Sequence, residues 1–316
     1  MKPRHVRARF RGALLGAAIG DALGAAWPRL DASAWAEHAA FERTPHQLAA
    51  TELTAMTTAV VSSLVERWGL DLERVRRLAA GYAAEGAAAA RSGADALLVM
   101  PVSLVAYHDL EIVAWLAREA GTAAGVREAP HEAGVVFACA VALLFQQPVD
   151  AAFEPSVFLD ALARHTAGTG AGMSVRAIQA AVLDQGREGV RHLAEGAAST
   201  HGAVQTALCA FLVGAQQPVW FPYPSQPCAF VATLRYALTL GGDRALLGAL
   251  TGTLVGAQGG EQAIPAIWRE QIPEARYLLE LADAMADMAE ISPPFRDVSY
   301  YMASPALRSL SYHVAG

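Results

Sequence analysis

The 316-residue sequence contains no asparagine, a single lysine (Lys2) and three cysteines, Cys139, Cys209 and Cys228. Three scattered thiols form no zinc-binding pairs, and an odd number completes no disulfide framework, so the reducing cytoplasm is the expected compartment. Basic charge is scarce: 24 Lys and Arg stand against 30 Asp and Glu, for a formal net charge of −6. That balance excludes the broad basic face of a nucleic-acid binder. Long apolar runs are missing too. None reaches the roughly 20 residues of a membrane span, and Ala133 to Phe145 reads instead as a buried helix. The only dense basic stretch, MKPRHVRARFR, opens the chain, and residues 1–10 are read as a basic N-terminal segment. It precedes an apolar run in the order of a secretory signal, but Asp21 interrupts that run and the glycine spacing continues helically past it. No Gly-x-Ser-x-Gly nucleophile turn is present, nor a Gly-x-x-x-x-Gly-Lys phosphate cradle.

What remains is an apolar, helical chain, 54% hydrophobic and 17% charged. Apolar residues recur at three- and four-residue spacing over residues 47–67, 72–90, 102–120, 132–144, 157–165, 175–193, 204–212 and 276–288, and alternating strand patterns are nearly absent. The spacing predicts an all-α, compact multi-helix domain over residues 11–290. His108-Asp109 reads as a turn followed by an N-cap, and Gly168 to Met173 as a glycine-rich connection. Gln216 to Cys228, with Trp220, Phe221, Pro222, Tyr223 and Pro224 in a row, reads as a long loop. Residues 291–316 form a tail expected to pack on the domain or at an interface.

Two segments share an unusual period. Gly12, Gly16, Gly20 and Gly24 recur every fourth residue, and so do Gly248, Gly252, Gly256 and Gly260. Each glycine inside a helix costs about 0.8–1 kcal/mol relative to alanine, but residues four apart lie above one another, so each set makes a stripe free of side chains. The two stripes predict that helix 11–26 packs directly against helix 244–258, backbone to backbone. Asp21, alone among the alanines, is expected to hold neighbouring backbone groups. Thr51 and Asp243 read as N-caps of the helices that follow them, with Glu52 placed favourably in a first turn.

The stretches RGALLGAAIGDALGAAW, TELTAMTTAVVSSLVE, MPVSLVAYHDLEIVAWLARE and LGGDRALLGALTGTLVGAQGGEQAIPAIW resemble, in order and spacing, the ADP-ribosylglycohydrolase family. The likeness runs from about Arg11 to Met288. The resemblance implies the family's all-α fold and a site where two magnesium ions orient an ADP-ribose and a water at a glycosidic carbon. In the family those ions are held by a Thr-Asp-Asp-Thr motif at one helix start and an Asp-Thr-Asp-Thr motif after Gly-Gly. Magnesium requires octahedral oxygen ligands, with carboxylates supplying the charge.

Here the first motif reads Thr51-Glu52-Leu53-Thr54 and the second Asp243-Arg244-Ala245-Leu246. Two carboxylates are deleted, one is lengthened, and an arginine has entered. The family's glutamate shortly after GDALG falls near Trp27 or Pro28. Its glycine-rich Gly-Asn-Gly-x-x-Met-Arg loop corresponds to Ser92-Gly93-Ala94-Asp95-Ala96-Leu97-Leu98, without the arginine. A Thr-His pair has no clear counterpart, His131 included. His201-Gly202-Ala203 lies where relatives carry Ser-Gly-Tyr near the adenosine. The resemblance therefore implies ligand-binding residues Thr51, Glu52, Gly93, Ala94, Asp95, His201, Gly202, Asp243 and Arg244. Residual metal candidates are Thr51, Glu52 and Asp243, and Glu52 and Asp243 would be the catalytic pair of an active enzyme. Arg244 is expected to pair with Glu52 or Asp243 in place of a cation. The expected protein is degenerate and metal-free, keeping a cleft for an ADP-ribose-like ligand, another small molecule or a protein partner. The alternatives are an active hydrolase with a reduced magnesium site and a scaffold protein.

Overall fold

A computed structural model of the chain describes residues 3–27, 48–84, 94–125, 128–148, 151–166, 175–184, 186–195, 200–215 and 229–291. Every regular element among them is helical. Helix α1 (Pro3–Ala26) is followed by α2 (Glu52–Arg67), α3 (Leu72–Ala84), α4 (Ala94–Val99), α5 (Val102–Ala106), α6 (Leu110–Ala123) and α7 (Glu128–Gln146). Then come α8 (Pro155–His165), α9 (Val175–Gln179), α10 (Gly186–Glu195), α11 (Thr200–Ala215), α12 (Ala229–Thr239), α13 (Arg244–Gly259), α14 (Ala266–Gln271) and α15 (Ala275–Ile291). This is the all-α architecture that the periodicity predicts. Two periodic runs are broken, the first where His108-Asp109 predicts a turn and an N-cap. The run over 102–120 is divided by the turn at His108, after which Asp109 caps α6 by accepting from the amides of Glu111 and Ile112. The run over 175–193 passes through a π-helical turn, Ala180–Asp184, and restarts at Gly186 with φ +60°.

The predicted glycine contact is the spine of the molecule. A Cβ on Gly12, Gly16 or Gly20 would enter the carbonyl oxygen of Gly256, Gly252 or Gly248 respectively, and the reverse holds for each partner. Gly24 meets the backbone of Arg244 in the same way. Partner numbers fall along α13 as they rise along α1, so the helices are antiparallel. Where a side chain would have stood, a Cα hydrogen points at a carbonyl of the facing helix, a contact worth about 0.5–1 kcal/mol. Thirteen residues of α13, from Ala245 to Ala257, are buried without a break. α7 lies against α13 and is buried without interruption from Ala133 to Ala142.

The basic run at the start of the chain is not separate from the domain. α1 begins at Pro3, and Arg7, Arg9 and Arg11 in its first turns are structural. Arg9, 8% exposed, donates to the carbonyls of Leu144 (2.9 Å), Phe145 (3.3 Å) and Gln147 (2.6 Å), closing the C-terminus of α7 where a cation suits the helix dipole. Arg11 binds both carboxylate oxygens of Asp283 at 2.6 and 2.7 Å and Glu261 at 3.1 Å, and Arg7 pairs with Asp287. These pairs fasten α1 to α15 and to the turn after α13. No described helix is long and apolar enough to cross a membrane.

Candidate binding cleft at the helix starts

The antiparallel register decides what meets at one end of the spine. Because Gly24 lies against Arg244, the C-terminal turns of α1 stand beside the N-terminus of α13. Asp21, one turn earlier, is wholly buried and reaches across to the N-terminus of α2. Its Oδ2 accepts from the Thr51 amide (2.7 Å), the Thr54 amide (3.3 Å) and the Thr54 hydroxyl (2.7 Å), and its Oδ1 accepts from the Thr51 hydroxyl (2.8 Å). Thr51 then caps α2 conventionally, its Oγ1 accepting from the Leu53 amide at 3.2 Å. Burial pushes the Asp21 carboxyl above the ordinary carboxylate range, and the four hydrogen bonds oppose that rise. The starts of α2 and α13 are thereby held at the same end of the molecule.

A third element joins them. The short helix α4 touches both α2 and α13, and the Thr57 hydroxyl bridges the carbonyls of Leu53 (3.0 Å) and Leu97 (3.4 Å). Ala94 and Asp95 occupy its first turn, the one buried and the other half-buried. α11 also packs on α13, and Gly202, in its first turn, is buried. Among the residues expected at the cleft, Thr51, Glu52, Asp243 and Arg244 therefore sit on two helix starts brought together, with α4 alongside. Gly93 lies outside the described residues, as do the His201 side chain, Pro28, residues 168–173, the loop 216–228 and the tail beyond Ile291. Trp27 is described and packs half-buried against the core.

Asp243 behaves as expected of an N-cap, its Oδ1 accepting from the Leu246 amide at 3.1 Å. Arg244 corrects an expectation. Its Nε donates to the Leu238 carbonyl at 3.2 Å, and among the described residues it forms no ion pair with Glu52 or Asp243. The reason is local: α12 ends at Thr239, only a tight Gly241-Gly242 turn separates it from α13, and the last carbonyls of α12 are the acceptors within reach. Arg244 is thus a tether closing the Gly-Gly turn.

Among the described residues, the positions of the family's metal motifs supply few oxygens for a pair of magnesium ions. Leu53 is fully buried, as is Leu246, and Ala245 is 7% exposed; all three pack in the core where the family's motifs place a carboxylate, a threonine and a carboxylate. The Thr51 hydroxyl donates to Asp21 and accepts from Leu53, and Asp243 is engaged in capping. Among the described residues no group of three His, Cys, Asp or Glu side chains gathers in a way that holds a metal.

Sequence reasoning missed the partners of Asp21. Thirty positions separate it from Thr51, and no local pattern connects them. The signal lay in the glycine register, which sets the end of α1 beside the helix starts.

No curated protein matches the chain. A solved structure titled "ADP-ribosylglycohydrolase-related protein complex" superposes with a TM-score of 0.62 at 24% identity, covering 90% of this chain and 99% of that one. At that identity the match speaks for the fold. Residues 2–293 match the family model of the ADP-ribosylglycohydrolases, and with nearly the whole length so covered, the chain belongs to that family.

Proposed function

We propose that this protein is a catalytically degenerate ADP-ribosylglycohydrolase that works without magnesium and uses the cleft at the starts of α2, α4 and α13 to bind an ADP-ribose-like ligand. One observation carries the reading: the motif positions that have lost their oxygens, Leu53, Ala245 and Leu246, are packed into the hydrophobic core. Apolar groups sealed there stabilise the two helix starts without a cation, just as a buried ionic cluster replaced by well-packed apolar side chains can be neutral or stabilising. The charge the cleft retains, Glu52 and Asp243, is too small to hold two divalent ions. The helix N-termini themselves remain and favour an anionic group such as a diphosphate.

The test is thermal stability of the full chain with magnesium and ADP-ribose, added separately and together. A ligand at about 100 times its Kd raises stability by about 2.7 kcal/mol. ADP-ribose alone is expected to raise Tm, and magnesium to add nothing. The retention of Glu52 and Asp243 at both helix starts favours a second reading, an active hydrolase with a reduced magnesium site. Magnesium-dependent release of ADP-ribose from a modified protein, lost in Asp243→Ala, would establish it and overturn the first.

A further inference from the structure

Asp21 belongs to α1, yet the four hydrogen bonds of its carboxylate all go to Thr51 and Thr54 at the start of α2. An acceptor that only satisfied the orphan amides of a helix start would take the two backbone N–H groups and no more. Asp21 also accepts from both threonine hydroxyls, which fixes the rotamers of Thr51 and Thr54 along with the backbone that carries Glu52. Both hydroxyl protons are thereby spent inside the protein. On the same stretch of α1, Gly20 lies against the Gly248 carbonyl and Gly24 against that of Arg244. One turn of α1, from Gly20 to Gly24, is therefore the common reference for two helix starts. It reaches the start of α13 through backbone contacts and the start of α2 through a single carboxylate.

We propose that Asp21 is the positioning residue of the cleft: without touching the ligand, it holds the start of α2 in fixed relation to the start of α13 and so sets the affinity for the ADP-ribose-like ligand proposed above. Asp21 has no exposed surface, so it acts only through the threonines. A site whose parts are already held by hydrogen bonds pays less to order itself on binding than one whose parts must be brought together. Without the carboxylate, α2 keeps its own cap from Thr51 to the Leu53 amide, but its start is released from α1. Glu52 then moves relative to Asp243, and the ligand has to select among the resulting arrangements. The effect on affinity rests on the cleft reading; the anchoring of α2 does not.

Calorimetry with ADP-ribose and amide hydrogen exchange, both on the full chain well below its Tm, test this. Asp21→Ala is expected to weaken ADP-ribose binding by about tenfold or more, and Asp21→Asn, which keeps an acceptor for the amides, to stay within about threefold of the wild type. Thr54→Val keeps the shape of a buried side chain and removes one donor, so an intermediate loss is expected; should Asp21→Ala fail to fold, it carries the same comparison. Phe158→Ala truncates the core on α8, outside the helices that frame the cleft, and is expected to lower Tm while leaving affinity unchanged. In Asp21→Ala the Thr51 and Thr54 amides are expected to exchange faster, with the first turn of α13 as protected as before because its glycine contacts persist. Wild-type affinity in Asp21→Ala, an equal loss in Phe158→Ala, or exchange raised evenly along α2 would overturn the proposal. If the wild type binds no ADP-ribose, the cleft reading falls and exchange alone decides: a gain confined to Thr51 and Thr54 upholds the positioning of α2 by Asp21, and a gain spread along the helix overturns it.

Discussion

At the scale of single residues, Asp21 concentrates the electrostatic cost of the site's architecture. A buried carboxylate is tolerated because four donors from Thr51 and Thr54 converge on it. Asp21→Ala strips those donors of their acceptor, and each buried unpaired group costs about 1–3 kcal/mol, so the variant is expected to lose at least about 3 kcal/mol in urea unfolding. Asp21→Asn is expected to cost far less. Its carbonyl oxygen can take the three bonds now made to Oδ2, and its amide can donate to the Thr51 hydroxyl. Thr251 presents the opposite case, a fully buried hydroxyl in the middle of α13 with no hydrogen-bond partner among the described residues. Thr251→Val keeps the shape and removes the unmet donor, and is expected to raise stability by about 1 kcal/mol, read as an increase in Tm. The caps Thr51, Asp109 and Asp243 were legible in the sequence because a cap is a local bond between a side chain and an amide two or three residues on. The Arg244 contact was not, because it depends on which of several acceptors the Gly-Gly turn brings close.

At the scale of elements, the glycine period was the most informative feature of the sequence. A four-residue repeat of glycine has no purpose on a solvated or ordinarily packed helix, and two such repeats predict each other. The α1–α13 contact follows, and so does its register, which then places the starts of α2 and α13 together. Glycine's role here is testable by contrast. Gly16→Ala would drive a methyl group into the Gly252 carbonyl and force α1 and α13 apart. The expected cost is at least about 3 kcal/mol, the range of severe core overpacking. Gly81, in α3, has nothing within 4 Å of where its Cβ would be, so Gly81→Ala is expected to stabilise by about 0.5–1 kcal/mol through helix propensity alone. Denaturant midpoints of the two variants should move in opposite directions. The break at His108 was legible in the turn and cap of His108-Asp109, whereas the one through Ala180–Asp184 was not, because a π-turn shifts the phase of an apolar stripe without removing it.

At the scale of the whole molecule, the proposed loss of the metal site is compatible with the helical fold through packing. The metal motifs lie at helix starts that Asp21 and the glycine spine already hold in place, so replacing acids by Leu53 and Ala245 extends the core without dismantling the scaffold. That framework makes acid stability a balance between two groups far apart in the structure. His108 stacks on Tyr107 at 3.8 Å between ring centroids, with its Nε2 3.3 Å from the Ala289 carbonyl; burial lowers its pKa below the ordinary 6.5, opposed by that carbonyl contact. Below about pH 6.5 the unfolded chain therefore takes up a proton that the folded chain refuses, and stability falls with pH until the lower folded value is passed. Asp21 acts in the other direction. With its folded pKa raised, its contribution to stability is fully present below the ordinary carboxylate value and is lost as pH rises through the folded one, so acidification partly restores it. The wild-type Tm is expected to fall between about pH 7.5 and 5.5. His108→Gln, which keeps an amide donor for Ala289, should flatten that fall, and Asp21→Asn should remove the opposing gain at whatever pH the Asp21 carboxyl titrates. Melting curves for the three proteins across that range and beyond it check both signs, and a His108→Gln profile parallel to the wild type would mean that the burial of this imidazole does not govern the acid limb.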